Sequence, residues 1–184
     1  MEDIDLIWTE ESRKEVFKTP VFSIQELNSR SPQGEMGRFS VIDAPDWAIV
    51  VPALETEQGR VFLMVRQWRH GAQRLSLEFP GGVFERGERG EEAAARELRE
   101  ETGYTAGHIR ALGEMSPNPA IMSNRVHFYL AQDLRDTGRQ ELDKDEYVGV
   151  ERVPVEEVLK KMGQPPYIHS LMASALALYL RQLG

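Results

Sequence analysis

Three glutamates of one predicted helix have the spacing at which helical side chains meet. Glu97, Glu100 and Glu101 follow one another at i, i+3 and i+4, which places their carboxylates on one face. Each like-charged pair on an exposed helix costs about 0.2 to 0.5 kcal/mol, whereas Mg²⁺ prefers oxygen ligands and carries the opposite charge. The spacing therefore indicates either a metal-binding face or a solvated acidic face that Arg96 and Arg99 partly neutralise.

The helix that carries these glutamates is predicted over residues 91–102. At about 100° per residue, Ala94, Ala95 and Leu98 form an apolar face that can pack on a sheet. Gly103 follows, and glycine commonly ends a helix. The acidic face lies roughly a quarter to a third of a turn away from the apolar face.

Most of the other predicted elements are short strands. Strands are predicted over 15–24, 38–42, 47–54, 61–67, 75–79, 109–115, 126–131 and 147–153, and further helices over 155–162 and 168–183. Strands with few, well-separated helices favour an α+β fold, an α/β/α sandwich, over a doubly wound sheet. Residues 1–45 are predicted to form a small N-terminal β-strand region, and residues 46–184 the main domain.

The composition excludes several classes of site and partner. The chain has no cysteine, which excludes disulfides and thiolate chemistry. Its net charge of −8 gives no general attraction to nucleic acid or to anionic membranes, and it has no apolar run of the ~18 residues that span a bilayer. The acidic start Met1–Asp5 does not resemble a signal peptide. We expect a cytoplasmic protein that binds neither nucleic acid nor membrane.

The glutamates belong to a longer pattern that begins at Gly82. Its fixed positions are Gly82, Glu88, Arg96, Glu97, Leu98, Glu100, Glu101, Gly103 and an apolar residue, Tyr104. The pattern resembles the Nudix box at every defined position, although an aliphatic residue is more usual where Tyr104 stands. So many matches at fixed spacing make the resemblance to the Nudix hydrolase family specific.

The resemblance implies a fold, a cofactor and a set of ligands. The fold is a mixed-sheet α/β/α sandwich, and the cofactor is Mg²⁺, with Mn²⁺ as an alternative. The implied ligands are Glu97 and Glu101 directly, Glu100 directly or through water, and the carbonyl of Gly81. The resemblance assigns Glu88 and Arg96 to orienting these ligands. Bound metal would neutralise a pyrophosphate and lower the pKa of a water molecule.

Segments outside the box resemble one branch of the family. Gln67–Arg69, Glu78–Gly82 and the acidic segment Asp143–Val148 are similar to segments of ADP-ribose pyrophosphatases and related nucleoside diphosphate sugar hydrolases. The similarity implies that Arg69 contacts the diphosphate, unless it forms only a surface salt bridge. It implies that Glu78 fixes a loop or contacts the substrate. The similarity also implies that Glu146 is a further metal ligand or the catalytic base, in addition to the catalytic glutamates of the box. The alternative is that Glu146 is a solvated loop residue.

The expected reaction is hydrolysis of ADP-ribose, a small nucleotide substrate, to AMP and ribose 5-phosphate. Pro119 falls near the downstream proline of ADP-ribose hydrolases and is assigned to substrate binding, but the segment Ser116–Ala120 lacks that branch's glycine. Alternatives are GDP-mannose, a dinucleoside polyphosphate or FAD as the substrate, or a nucleotide-sugar sensor without turnover. The N-terminal strands resemble a β unit that this branch exchanges across a homodimer.

The histidines and two of the tryptophans receive no catalytic role from the sequence. His70, His108, His127 and His169 are scattered, and no two have metal-ligand spacing. They are interpreted as structural or surface residues. Trp47 and Trp68 are interpreted as packing residues of the core or of a strand face.

Overall fold

The computed structural model of the protein describes residues 2–183. Its strands are β1 (Thr9–Lys18), β2 (Ser23–Arg30), β3 (Met36–Asp43), β4 (Trp47–Thr56), β5 (Gly59–Arg69), β6 (Arg74–Glu78), β7 (Gly81–Val83), β8 (Tyr104–Met115), β9 (Val126–Asp136) and β10 (Gly149–Pro154). Its α-helices are α1 (Gly90–Thr102), α2 (Val155–Lys161) and α3 (Ser170–Leu180), and a short 3-10 helix covers Asp3–Leu6. None of the helices within residues 2–183 is long and apolar enough to cross a bilayer.

The N-terminal strands form a unit of their own. β1, β2 and β3 pair in that order as an antiparallel sheet, and the compact unit extends to Pro45 and also takes in Ser116–Arg125. The predicted strand over 15–24 is wrong, because a turn at Thr19 divides it. The Thr19 hydroxyl donates to the Phe22 carbonyl (2.7 Å) and accepts the Phe22 N–H (2.9 Å), which closes the hairpin between β1 and β2.

The second compact unit is built on a seven-stranded mixed sheet. Its main path has the order β10-β5-β4-β9-β8, with β6 paired to β5 and β7 paired to β4. The β4–β9 pair is parallel, and the other pairs are antiparallel. The predicted α+β class and mixed sheet are confirmed.

Alternation along β4 explains why helices cover both faces of this sheet. Ala48 and Val50 belong to a buried cluster that includes Leu98 of α1. Ile49 and Val51 point to the opposite face and belong to a cluster that includes Met172 of α3. A strand that is buried on both faces therefore forms the centre of the α/β/α sandwich.

Several local predictions differ from the structure. On α1, Ala93 is buried and Ala95 is exposed, so Ala93 replaces Ala95 in the apolar face. β10 begins at Gly149 rather than at Tyr147, whose side chain is 85% exposed. The sequence also missed the strand β7, Gly81–Val83, because glycines have low strand propensity. Pairing with β4 makes these residues extended.

Candidate active site

The two glycines of β7 allow close neighbours, the backbone of β4 at one position and a side chain of α1 at the other. Gly81 and Gly82 pair with Ile49 and Ala48 of β4. A Cβ atom at Gly81 would lie 2.2 Å from the Ala48 carbonyl oxygen, and one at Gly82 would lie 2.4 Å from Oε1 of Glu97. Backbone leaves no room for a side chain at Gly81, whereas at Gly82 the carboxylate of Glu97 would have to move.

Glu101 is the most deeply buried carboxylate of the box. Its side chain faces β7, and the residue is 4% exposed. The Gly81 N–H donates to its Oε2 (2.8 Å). Burial raises the pKa of Glu101 to about 8, and the charges of Glu97 and Glu146 act in the same direction against that N–H and the charge of Arg69. The position therefore carries a carboxylate whose negative charge the protein compensates only weakly.

Arg96 connects Glu88 with two glutamates of α1, Glu97 and Glu100. Its guanidinium donates two hydrogen bonds to Glu88 (2.9 and 3.0 Å), one to Glu97 (2.7 Å) and one to Glu100 (3.2 Å). A further bond to the Val83 carbonyl (3.0 Å) fixes the guanidinium to β7. These bonds hold the pKa of Glu88 below its usual value. The structure thus places Arg96 and Glu88 where they can orient the box carboxylates.

Glu97 lies between this arginine and the strand. Burial raises the pKa of Glu97, and the charges of Glu100 and Glu146 act in the same direction. Together these effects outweigh the opposing hydrogen bond and charge of Arg96. Like-charged carboxylates that share a partly dry environment disfavour ionisation in this way.

The donor chemistry of this face fits a hard divalent cation. Within residues 2–183, no three acidic or histidine side chains form a ready-made metal cluster, and Arg96 occupies oxygens of both Glu97 and Glu100. All the candidate side-chain donors are nevertheless carboxylates, as Mg²⁺ prefers. Burial and the charges of Glu97 and Glu146 raise the pKa of Glu101, and a bound cation would offset the repulsion among these carboxylates.

Arg69, the last residue of β5, forms a bidentate ion pair with Glu78, the last residue of β6. The two donor–acceptor distances are 3.0 and 2.6 Å. Glu78 is fully buried, whereas the Arg69 side chain is 40% exposed. Burial raises the pKa of Glu78, but the hydrogen bonds and charge of Arg69 outweigh it and leave the pKa below its usual value. Glu78 therefore anchors Arg69, and the guanidinium retains an accessible edge.

The remaining predicted residues, Glu146 and Pro119, lie in loops. Glu146 is exposed, and its Oε2 accepts the Asp143 N–H (3.1 Å) in a tight turn. Its charge acts on both Glu97 and Glu101, so the structure brings it near the box. Pro119 is exposed in a turn of the segment Ser116–Arg125, which belongs to the other compact unit.

A cavity of about 200 Å³ adjoins the Arg69–Glu78 ion pair and the glycines of β7. Arg69, Glu78, Gly81 and Gly82 line it, together with Trp47, Ala48, Ile49, Phe79, Val83, His169, Leu171 and Met172. Trp47 and His169 could not be predicted as wall residues, since neither belongs to a motif. His169 caps α3 by accepting the Leu171 N–H at Nδ1 (3.2 Å). Burial, together with the charge of Arg69, lowers the pKa of His169 against the opposing charge of Glu78.

Known proteins resemble this chain in sequence over most of its length. A NUDIX domain model matches residues 44–173. The ADP-ribose pyrophosphatase of Bacillus subtilis (strain 168) is 33% identical over 150 residues, which cover 81% of this chain and 80% of that protein. The ADP-ribose pyrophosphatase of Mycobacterium tuberculosis (strain ATCC 25618 / H37Rv) is 29% identical over 167 residues, covering 89% and 79% respectively.

A solved structure supports the same fold. The crystal structure of an ADP compounds hydrolase superposes with a TM-score of 0.84, covering 97% of this chain and 95% of that chain. The two sequences are 24% identical, so this likeness bears on the fold alone. The family match and the relatives confirm the resemblance on which the sequence analysis relied: the chain belongs to the Nudix family and is a pyrophosphohydrolase of the branch that includes the ADP-ribose pyrophosphatases.

Proposed function

We propose that the protein hydrolyses the pyrophosphate bond of a nucleoside diphosphate sugar with the help of Mg²⁺, and that ADP-ribose is the preferred substrate. The products would be AMP and ribose 5-phosphate. The observation that carries the proposal is the contact of the buried Glu101 with Gly81, beside Glu97 and Glu100 on the same face of α1. The names of the two bacterial relatives support ADP-ribose as the substrate.

The metal would be held by carboxylates and one carbonyl. We assign Glu97, Glu100, Glu101 and Glu146, with the carbonyl of Gly81, to this role, and Mn²⁺ could replace Mg²⁺. A bound divalent ion supplies charge neutralisation of the diphosphate and acidification of water. Arg96 keeps its neighbouring carboxylates oriented through its hydrogen bonds.

The catalytic roles then fall to three glutamates. Glu100 and Glu101 are the catalytic glutamates of the box. Glu146 either takes a proton from the attacking water or serves as a further metal ligand. An exposed carboxylate near the buried ones suits proton transfer, because solvent can carry the proton away.

Arg69 would bind the diphosphate. Its guanidinium is fixed by the buried Glu78, and its exposed edge lies at the wall of the cavity. Guanidinium groups suit bidentate contacts with phosphate oxygens. A chain of net charge −8 needs such a local cation to attract an anionic substrate. Pro119 is assigned to substrate binding by its place in the sequence.

We further propose that residues 1–45 form a dimerisation region. Every residue of β1 is exposed, and the N-terminal unit exposes the large apolar side chains Ile4, Leu6, Ile7, Trp8, Val16, Phe17, Val21, Met36 and Phe39. Exposed apolar strands favour association. Sedimentation of the wild type should show a homodimer, which Phe17→Glu should weaken, and a monomeric wild type at micromolar concentration would contradict this.

The absence of cysteine suits the reducing cytoplasm, where we place the protein.

A panel of substrates tests the proposed activity. ADP-ribose, GDP-mannose, a dinucleoside polyphosphate and FAD would each be incubated with the protein and Mg²⁺, and phosphatase-sensitive monophosphates would be counted. We expect the highest kcat/KM for ADP-ribose. A higher value for another compound would overturn the substrate assignment, and binding of ADP-ribose without turnover of any compound would indicate a sensor.

A further inference from the structure

The C-terminal end of α1 is covered by a segment that lies far away in the sequence, residues 137–141. The last carbonyls of a helix have no partner within the helix and must find donors elsewhere. Here the Glu141 N–H donates to the Glu100 carbonyl (2.9 Å). The Thr137 N–H and hydroxyl both donate to the Gly103 carbonyl (2.8 and 2.7 Å). The segment therefore continues the hydrogen bonding of the helix that carries the box glutamates.

The approach of this segment to the helix is close. Gly103 adopts a left-handed conformation with φ 73°, and a Cβ atom there would lie 2.9 Å from the backbone of Arg139. Glycine is thus required at this position both for the helix end and for the segment packed on it. An attachment this tight fixes where the following loop begins.

One side chain within the segment contacts both the helix and the far end of that loop. The side-chain amide of Gln140 donates to the Glu101 carbonyl and to the Val148 carbonyl (3.3 Å). Glu101 lies on α1, and Val148 lies two residues after Glu146. The residues between Gln140 and Val148, 141–147, form the acidic loop. One neutral amide group therefore closes the acidic loop at both ends and attaches it to the box helix.

The side-chain ion pair between the acidic loop and α1 is weaker than the bonds of Gln140. Arg99 donates to Glu141 (2.7 Å), but both side chains are more than 40% exposed. An exposed ion pair of this kind contributes about 0 to 1 kcal/mol. The half-buried Gln140 is better shielded from water, so its two bonds are harder for solvent to replace.

We propose that Gln140 is a positioning residue that holds the acidic loop against the end of α1 and thereby keeps Glu146 near the box glutamates Glu97 and Glu101. The inference rests on the proposed function, in which Glu146 is a metal ligand or the catalytic base. The residue type fits the task, since two carbonyl oxygens require two N–H donors and a glutamate would offer only acceptors. A small displacement of a catalytic group can reduce turnover about 100-fold.

The test replaces Gln140 with methionine, which keeps the length of the side chain and removes both donors. Gln132→Met, at an exposed glutamine of β9, is the matched control, and Gln140→Ala repeats the test in case methionine packs differently. We expect kcat for ADP-ribose to fall about 10- to 100-fold with KM nearly unchanged. Wild-type kcat in both Gln140 variants would overturn the proposal.

A second readout does not depend on turnover. Lys144 lies at the tip of the acidic loop, and the initial rate of tryptic cleavage there, followed by mass spectrometry, reports how often the loop opens. Loss of two hydrogen bonds should raise that rate about tenfold in Gln140→Met and leave it unchanged in Gln132→Met. Equal cleavage rates in the wild type and Gln140→Met would show that Gln140 does not hold the loop.

Combination with Glu146→Gln separates this inference from the proposed function. If Gln140 acts through Glu146, adding Gln140→Met to Glu146→Gln should lower kcat no further. An equal, additional loss in the double variant would refute the positioning role. Wild-type kcat in Glu146→Gln alone would instead refute the proposed role of Glu146, and the cleavage rate at Lys144 would still decide whether Gln140 holds the loop.

Discussion

The buried Glu101 carboxyl predicts a pH dependence of stability that can be measured without substrate. Its pKa is raised from 4.5 to about 8, chiefly by burial. In metal-free protein the folded chain therefore keeps a proton that the unfolded chain releases. This contribution to stability is complete below pH 4.5 and is lost as the pH rises through 8. At about 1.4 kcal/mol for each pH unit, the loss between pH 5 and pH 8 is about 3 to 4 kcal/mol.

Glu101→Gln isolates this contribution. Glutamine cannot ionise, but it still offers an oxygen to the Gly81 N–H. We expect urea unfolding in EDTA, followed by circular dichroism, to show a wild-type free energy of unfolding that falls about 3 to 4 kcal/mol more than that of Glu101→Gln between pH 5 and pH 8. Glu91→Gln, on the exposed side of the same helix, should behave like the wild type.

The same experiment tests whether a cation relieves the buried charge. Mg²⁺ added at pH 8 should stabilise the wild type and have a much smaller effect on Glu101→Gln, because ligand binding to the folded state raises the free energy of unfolding. Parallel pH curves for the wild type and Glu101→Gln would refute the reasoning from burial. Equal stabilisation of both proteins by Mg²⁺ would refute the role of Glu101 as a ligand.

Further predictions concern the β7 glycines and the buried ion pair. Gly81→Ala should lower the free energy of unfolding by about 1 to 3 kcal/mol, since the new Cβ meets backbone. Gly82→Ala should instead lower kcat with little change in stability, because its Cβ meets the movable carboxylate of Glu97. A wild-type denaturation midpoint together with a reduced kcat in Gly82→Ala would establish the contrast with Gly81→Ala. Glu78→Gln should cost about 1 to 3 kcal/mol in urea unfolding and raise KM for ADP-ribose, because Arg69 loses its charged anchor; an unchanged KM would contradict the role of that anchor.

The elements that the sequence predicted correctly are those in which a local pattern and the tertiary structure agree. The helix over 91–102 is α1 to within one residue, because its acidic spacing, apolar face and terminal glycine all favour the same helix. The apolar run in β4 predicted a strand buried on both faces, and the structure has one. The glutamates of the box could be selected for the same reason, since their spacing is local.

Most of the features that the sequence could not predict depend on partners far away in the chain. β7 contains two glycines and becomes a strand only because β4 lies beside it. The hairpin turn at Thr19 was missed because the apolar residues on both sides of it favour a strand. Gln140 and His169 carry no motif, and their partners on α1 and at the cavity wall follow from tertiary packing alone.

Release of AMP from ADP-ribose in the presence of Mg²⁺, compared between the wild type and Glu101→Gln, tests the central claim most directly. We expect the wild type to form AMP and ribose 5-phosphate in equal amounts, and kcat of Glu101→Gln to be lower by more than about 100-fold while its circular dichroism spectrum is unchanged. A folded Glu101→Gln protein with wild-type kcat would contradict the account of the site.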